Sequence, residues 1–490
     1  MFQSIKRLTK HSVIYGFGHI LSRSLGFLLL PIHTNVLPPD QYGNVALLFS
    51  ALAILNIVFT YGMDVAFLRF YILEESKEGK QRIFSTVFFM IFITGICFSA
   101  LMILCPHPFS NLIFRSAQFG NLIRLSGGIL LTDAVCLIPF LVLRGEERSA
   151  QFVFLKSLNI AATLGFNVLF VVILREGVPG VFISNLLASL FTLGTLLPIF
   201  LKWLRPKFSK QTLSELLMFG LPYIPSGLSV IIMDQIGRFF LDRMIGKEAT
   251  GIFSASYKLG MIMALLVAAF RFAWHPFFLS TLKEKNAPQI FARILTYFIL
   301  VTGFFFLGIS FFVLEIIHFR IFGFSIIGEG FESGAPIVPI VMLAYIGYGV
   351  YVNFLIGIYL KKKTAYLPMV TGIGALVSIL SNFLLIPISG VMGAAWSALF
   401  AYISMAAALF VVSKRLYFVP YEYSRIAKLV FLFGGYFFLG THLLGGGNPL
   451  YRILLLISVF PLLWLLRFFH GDEKSILYKF FRLNQSGTIQ

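Results

Sequence analysis

A chain of 490 residues that is 58% hydrophobic and only 12% charged, with a mean hydropathy of +0.89, carries half the charge expected of a soluble globular protein, roughly 25%. Runs of 20 or more apolar residues recur along its whole length, which excludes a string of soluble domains and predicts stacked transmembrane helices. The net charge of +19 lies between those runs and is not interleaved with aromatics on a polar segment, so nucleic-acid binding is excluded; the bias of Lys and Arg toward cytoplasmic loops accounts for it.

Fourteen spans are predicted, in chain order. Span 1 (12–37) follows Lys6, Arg7 and Lys10, contains Gly16, Gly18, Gly26 and Pro31, and carries Arg23 within it. It is too long for a signal-peptide core and no small-residue cleavage site follows, so it is read as retained. Span 2 (43–73) carries Asp64 and Arg69; span 3 (83–105) and span 4 (121–143) hold Cys97, Cys105 and Cys136, which lack metal-ligand spacing, and span 4 also holds Asp133. Spans 5 (150–174) and 6 (178–202) complete the first half. Span 7 (214–244) opens on Gly220-Leu-Pro222-Tyr-Ile-Pro225-Ser-Gly227, where two prolines remove backbone donors and must kink or unwind the helix, and continues to Asp234 and Arg238. Span 8 (250–281) carries Lys258 and Arg271. Spans 9 to 14 follow at 290–314, 335–360, 365–386, 390–413, 425–444 and 449–468.

Loop charge tests this count. With the N-terminus inside, the inside segments hold 25 of the 39 Lys and Arg residues and the outside loops five: Arg115, Arg175, Arg243, Lys247 and Arg320. A missed or invented helix would invert the bias in every later loop, and it never inverts, so both ends are predicted to be cytoplasmic. The longest outside connection, 315–334, is too short for an extramembrane catalytic domain.

The chain also echoes itself. Leu37-Pro-Pro-Asp-Gln-Tyr-Gly43 and Ile245-Gly-Lys-Glu-Ala-Thr-Gly251 each join two long spans, and aligning Gly43 with Gly251 gives an offset of 208 residues. Six spans separate the copies, an even number, so both keep the same topology. Two parallel six-helix lobes are predicted, 1–213 and 214–417, with 418–490 adding two spans and a cytoplasmic tail.

Charges inside spans carry the functional reading. Arg124, Lys156, Arg293 and Arg452 lie near span ends and are read as snorkelling, as is Arg69. Arg23 and Asp64 sit deeper, roughly 16 and 14 Å from the inner ends of spans 1 and 2 at about 1.5 Å per residue. They form a structural ion pair, or line a cavity, or both. Asp234 and Arg238 share one helical face at i,i+4 spacing, with Lys258 at similar depth as a further partner. Asp133 is mid-span. Arg271 has no acid near its depth on its own span, which points to an anionic ligand or a water-filled space. The deep cations Arg23, Arg238, Lys258 and Arg271 outnumber Asp64, Asp133 and Asp234 by one.

Several stretches resemble the polysaccharide-transporter family, the O-antigen-type flippases of a superfamily that includes multidrug exporters and the lipid II flippase. They are Leu21-Ser-Arg23-Ser-Leu-Gly26-Phe-Leu-Leu-Leu-Pro31, the Leu37–Gly43 turn, Gly62-Met-Asp64-Val-Ala-Phe-Leu-Arg69-Phe70 and Leu143-Arg144-Gly-Glu-Glu-Arg148. In the second half they are Phe219-Gly-Leu-Pro222-Tyr-Ile-Pro225, Gly251-Ile-Phe-Ser-Ala-Ser-Tyr257-Lys258-Leu-Gly260 and Trp274-His-Pro276. The resemblance implies a two-lobed bundle around a cavity that opens alternately to either side of the cytoplasmic membrane. It implies an undecaprenyl-diphosphate-linked oligosaccharide as substrate, polysaccharide assembly proteins as partners and no enzymatic cofactor, and it matches Arg23 to a cavity arginine of the lipid II flippase. Where relatives often carry Asp-Arg in span 7, this chain has Gly237-Arg238 with an acid at Asp234, so coupling to Na⁺ or H⁺ is left open. Two rivals stand beside this reading. An ion-coupled multidrug exporter would want a net acidic cavity; a membrane polymerase or ligase would want a large outside loop.

Overall fold

The structure is a computed structural model and describes residues 25–282, 284–361, 363–443, 449–471 and 473; Arg23 lies outside them. Within them the fold is all-α apart from one antiparallel pair of two-residue strands, Arg320–Ile321 with Phe324–Ser325. Among the described residues eleven helices are long and apolar enough to cross a membrane, and they fall on predicted spans 2 to 12. Apolar helices Leu25–Val36 and Pro449–Leu465 lie on spans 1 and 14, and Tyr423–Phe438, prolonged by a π turn at Leu439–Leu443, lies on span 13. Large apolar side chains such as Phe431 and Ile388 stand 80% exposed on helices that satisfy their own backbone groups, the arrangement a hydrocarbon surrounding requires. The chain is a multi-pass membrane protein.

Two spans are broken where the sequence allows it. Span 7 runs as Lys210–Gly220, a 3₁₀ turn at Leu221–Tyr223 and then Ile224–Met244, because Pro222 and Pro225 cannot donate to the ladder. Span 2 runs as Pro39–Thr60 and Met63–Leu73, parted by Tyr61 and Gly62 at φ of 52° and 67°. At Gly62 a Cβ would lie 2.7 Å from the Gly220 carbonyl oxygen, so the two breaks meet and only glycine lets their backbones touch.

The chain divides into two compact units. The larger draws on Met1–Thr281 and Leu314–Tyr417, the smaller on Leu282–Val313 and Phe418–Gln490. In the smaller, span 9 (Ala287–Phe311) packs against spans 13 and 14, with the Phe433 ring set on Gly303 at a distance no side chain would permit. Arg452, expected to snorkel, is instead buried, and its Nη1 donates to the Phe311 carbonyl at 2.7 Å, a free acceptor at the end of span 9. Arg425 is buried too. Its guanidinium forks onto Glu473 at 3.0 and 3.3 Å, reaches Glu422 at 2.9 Å, and lies 4.3 Å above the Phe468 ring. Burial works against charge on Glu422, but Thr296, Arg425 and His470 together hold its carboxyl below the usual carboxylate range. Its contribution to stability is therefore present above that range and fades as pH falls through the lowered value. Replacing Arg425 with leucine strands two carboxylates and is expected to cost about 3 kcal/mol or more, read as a drop in the melting temperature of purified protein.

Candidate functional site

The larger unit encloses a cavity of about 1070 Å³. Span 2 forms its spine, from Tyr42 and Phe49 through Ser50 to Asn56, Asp64 and Val65. Spans 1, 4, 5 and 6 form one wall and spans 7 and 8 the other. Polar residues reach it because they recur at helical spacing within otherwise apolar spans. Lys156, Asn159 and Thr163 stripe one face of span 5, and Asn185, Ser189 and Thr192 one face of span 6. The stripes are tied together, with Asn159 Nδ2 donating to Thr192 Oγ1 at 2.7 Å. Ser189 donates to Asp133 at 2.6 Å, and Lys156, whose Nζ is 4.0 Å over the Phe140 ring, lies within the electrostatic reach of Asp133.

Across the cavity, Arg238 is buried and, among the described residues, all its hydrogen-bond partners are neutral. Nε donates to Ser254 at 3.2 Å, and Nη1 donates to the Asp234 main-chain carbonyl at 2.6 Å and to Gln235 Oε1 at 3.0 Å. The Tyr257 ring lies 4.9 Å beneath its guanidinium. Gln235 Oε1 also accepts from Ser50 at 2.9 Å, bridging spans 2 and 7. Lys258 Nζ lies 5.4 Å over the Tyr42 ring, and its charge reaches His33. Asn167 Nδ2 donates to the Thr163 carbonyl, so its Oδ1 faces His33 Nε2 at 2.8 Å and that nitrogen carries the proton. His33 Nδ1 is left as a buried acceptor with no partner among the described residues.

Four sequence-predicted residues therefore meet at this cavity: Arg238, Lys258, Asp64 and Asp133. Two cations read as loop or snorkelling charges, Arg144 and Lys156, line it as well. The 156/159/163 stripe would have identified Lys156. Among the described lining residues there are four cations and two carboxylates. Asp64 is exposed to the cavity in the first turn of Met63–Leu73, where a negative charge meets the positive end of the helix.

Asp234 and Arg271 lie elsewhere. The Asp234 carboxylate does not pair with Arg238 or Lys258; its Oδ1 accepts from the hydroxyls of Tyr257 at 3.2 Å, Tyr345 at 3.1 Å and Tyr402. The cage fastens spans 7, 8, 10 and 12 to one oxygen. Asp234→Leu removes the acceptor shared by three phenols, leaving Tyr257 and Tyr345 only their mutual contact at 3.4 Å, and is expected to destabilise the protein by about 2 kcal/mol or more, whereas Tyr402→Phe removes one bond and costs about 1; thermal unfolding separates them. Arg271 is exposed and donates to the Tyr348 hydroxyl at 3.0 Å, and it is not among the residues lining the cavity.

Next to Tyr42 of the cavity wall, spans 2 and 8 touch backbone to backbone. A Cβ on Gly43 would lie 2.0 Å from the Lys247 carbonyl oxygen, and a Cβ on Gly251 1.9 Å from that of Pro39. Each glycine thus faces the carbonyl four residues before the other. Beside them, Asn35 exchanges two hydrogen bonds with the Ser325 main chain, and Gly328 N donates to Thr34, so the strand pair latches the end of span 1.

Residues 8–282 match a family described as "Polysaccharide biosynthesis protein". A protein of the Lsg locus of Haemophilus influenzae is 23% identical over 296 residues, covering 57% of this chain and 68% of that one. Among solved structures, the lipid II flippase MurJ in an inward closed conformation is similar at a TM-score of 0.72 and 16% identity, over 95% of this chain and 99% of that one. An inward-facing multidrug resistance MATE family transporter of the MOP superfamily follows at 0.63 and 16%, over 83% and 95%. At such identities the likeness speaks for the fold alone. The family match, in contrast, covers more than half of the chain, which belongs to the polysaccharide biosynthesis protein family and is built on the fold of the MOP-superfamily transporters.

Proposed function

We propose that this protein is a flippase that carries an undecaprenyl-diphosphate-linked oligosaccharide from the inner to the outer leaflet of the cytoplasmic membrane by alternating access, for surface polysaccharide synthesis. The observation that carries the reading is a large cavity with four cations and two carboxylates at its wall. In a low-dielectric surrounding such an excess calls for an anion, and a guanidinium with only neutral partners is suited to phosphate oxygens. Arg238 and Lys258 at the cavity wall offer positive charge to the diphosphate, and Arg23 and Arg271 are the further cations assigned to it. The carboxamides and hydroxyls of spans 5 and 6 face the sugars, and the prenyl tail stays in lipid. Residues 1–213 and 214–417 act as the two lobes, 418–490 is an addition to them, and both ends are cytoplasmic.

An inside-negative potential assists outward movement of an anion by about 2.3 kcal/mol per charge per 100 mV. The excess of cations disfavours a multidrug exporter of cationic compounds. The test is reconstitution in vesicles with a defined lipid-linked glycan, following its exposure to an externally added glycan-cleaving enzyme. Protein-dependent exposure is expected. Exposure no faster than in protein-free vesicles overturns the reading.

A further inference from the structure

A second, smaller recess lies on the back of the span 2 and span 7 wall. It holds about 340 Å³ and is lined by Ile54 and Leu55 of span 2, Leu112 of the short helix Pro106–Phe114, and Phe239 and Phe240 of span 7. Its walls are apolar except at one point, Arg243, near the end of span 7. Arg243 is not alone there: its charge, that of Arg115 immediately after the short helix, and that of Lys247 all reach Asp242. Three of the five cations predicted for the outside loops thus act on a single carboxylate; one of them, Arg243, lines the hydrocarbon-walled groove, and Arg115 follows its lining residue Ile113 by two positions.

We infer that this groove holds one resident anionic phospholipid, with an acyl chain between spans 2 and 7 and its phosphate on Arg115, Arg243 and Lys247. The two halves of the site fit one molecule. The groove offers no hydrogen-bonding partner to a sugar or peptide apart from Arg243, so hydrocarbon is what it accepts. The cluster retains an excess of two positive charges after Asp242. A phosphate with no ammonium on its headgroup is attracted, while a zwitterionic headgroup brings its own cation into the same field. Ser50 and Gln235 face the central cavity from the helices whose other faces make the groove, so the occupant braces the wall between the two.

The site is tested on the purified full-length chain by native mass spectrometry after exchange into mixed phosphatidylglycerol and phosphatidylcholine. Retention of one phosphatidylglycerol is expected, with a preference of about thirtyfold that falls toward unity in the double variant Arg115→Gln, Arg243→Gln. A groove-filling variant, Ile54→Trp, leaves the charges intact and is expected to lose the bound lipid; an unchanged size-exclusion profile shows that each variant is folded. Equal retention of the two lipids, an undiminished preference in the double variant, or retention by Ile54→Trp overturns the assignment. Displacement by millimolar inorganic phosphate would make it a simple anion site, and stoichiometric replacement by a prenyl phosphate would make it a substrate site; each overturns the phospholipid.

Discussion

Replacing Gly251 with leucine is expected to reduce flipping about a hundredfold while the protein still reaches the membrane. A Cβ there falls 1.9 Å from the Pro39 carbonyl oxygen, against the 3.0 Å below which real Cβ atoms are essentially never found, so the helices must part by about 1 Å at a backbone-to-backbone crossing. Backbone cannot swing aside as a side chain can, and overpacking of this kind costs about 3 kcal/mol, about two decades in an equilibrium constant. The cost falls on the arrangement in which these helices touch; under the proposed alternating access that contact seals one end of the cavity, and a transporter that cannot seal one end cannot alternate. Gly43→Leu should behave alike, and the double variant should be little worse than either single one, because both open the same crossing. Gly165→Leu, at a position with nothing within 4 Å, serves as the control. Near-normal flipping by Gly251→Leu would show that the sealed crossing is not part of the transport cycle.

Neutralising Arg238 is expected to have an effect of similar size. Its three hydrogen-bond partners are a hydroxyl, an amide oxygen and a main-chain carbonyl. Water can take over each of them in a hydrated cavity, so Arg238→Gln should leave the protein level and melting temperature almost unchanged. A charge-assisted contact to the proposed diphosphate is worth about 1.5–3 kcal/mol, which places the loss of flipping between roughly tenfold and a hundredfold. Lys258→Gln should act in the same range. Arg238→Lys should restore little, since a single ammonium does not reproduce the planar fork. Full flipping by both neutral variants would remove the electrostatic basis of the proposed mechanism. Loss of stability in step with loss of flipping would assign Arg238 a structural duty.

Much of the architecture was legible because bilayer thickness leaves a direct mark on sequence: runs of about 20 apolar residues punctuated by Lys and Arg. Local breaks were half legible. Pro222 and Pro225 announce the interruption of span 7, whereas Tyr61 and Gly62 interrupt span 2 for a reason that lies 158 residues away, at the Gly220 carbonyl. Depth could be counted from span ends, but direction around the helix could not. By depth alone Lys156 reads as a snorkelling charge although it faces the cavity, and Arg452 does so although it caps span 9. Arg271, the hardest to explain without a ligand, rests against Tyr348. The i,i+4 spacing of Asp234 and Arg238 suggested an ion pair. The guanidinium turns instead to the main-chain carbonyl of residue 234, and the carboxylate is claimed by tyrosines of three other spans. No local pattern foretells such a convergence.

The crossing of Gly43 and Gly251 has the form of a handshake in which each partner extends the same hand. Pro39 and Lys247, the carbonyls involved, are separated by the same 208 residues as the glycines, as at the dyad of a homodimer. A chain joined to itself in this way resembles two subunits fused end to end, and fusion releases them from identity. Carboxamides could accumulate on the walls of one subunit while phenols gathered around an acid in the other, without either change being imposed on both. Asymmetry of equipment around a symmetric crossing is open to a fused pair and closed to a true homodimer.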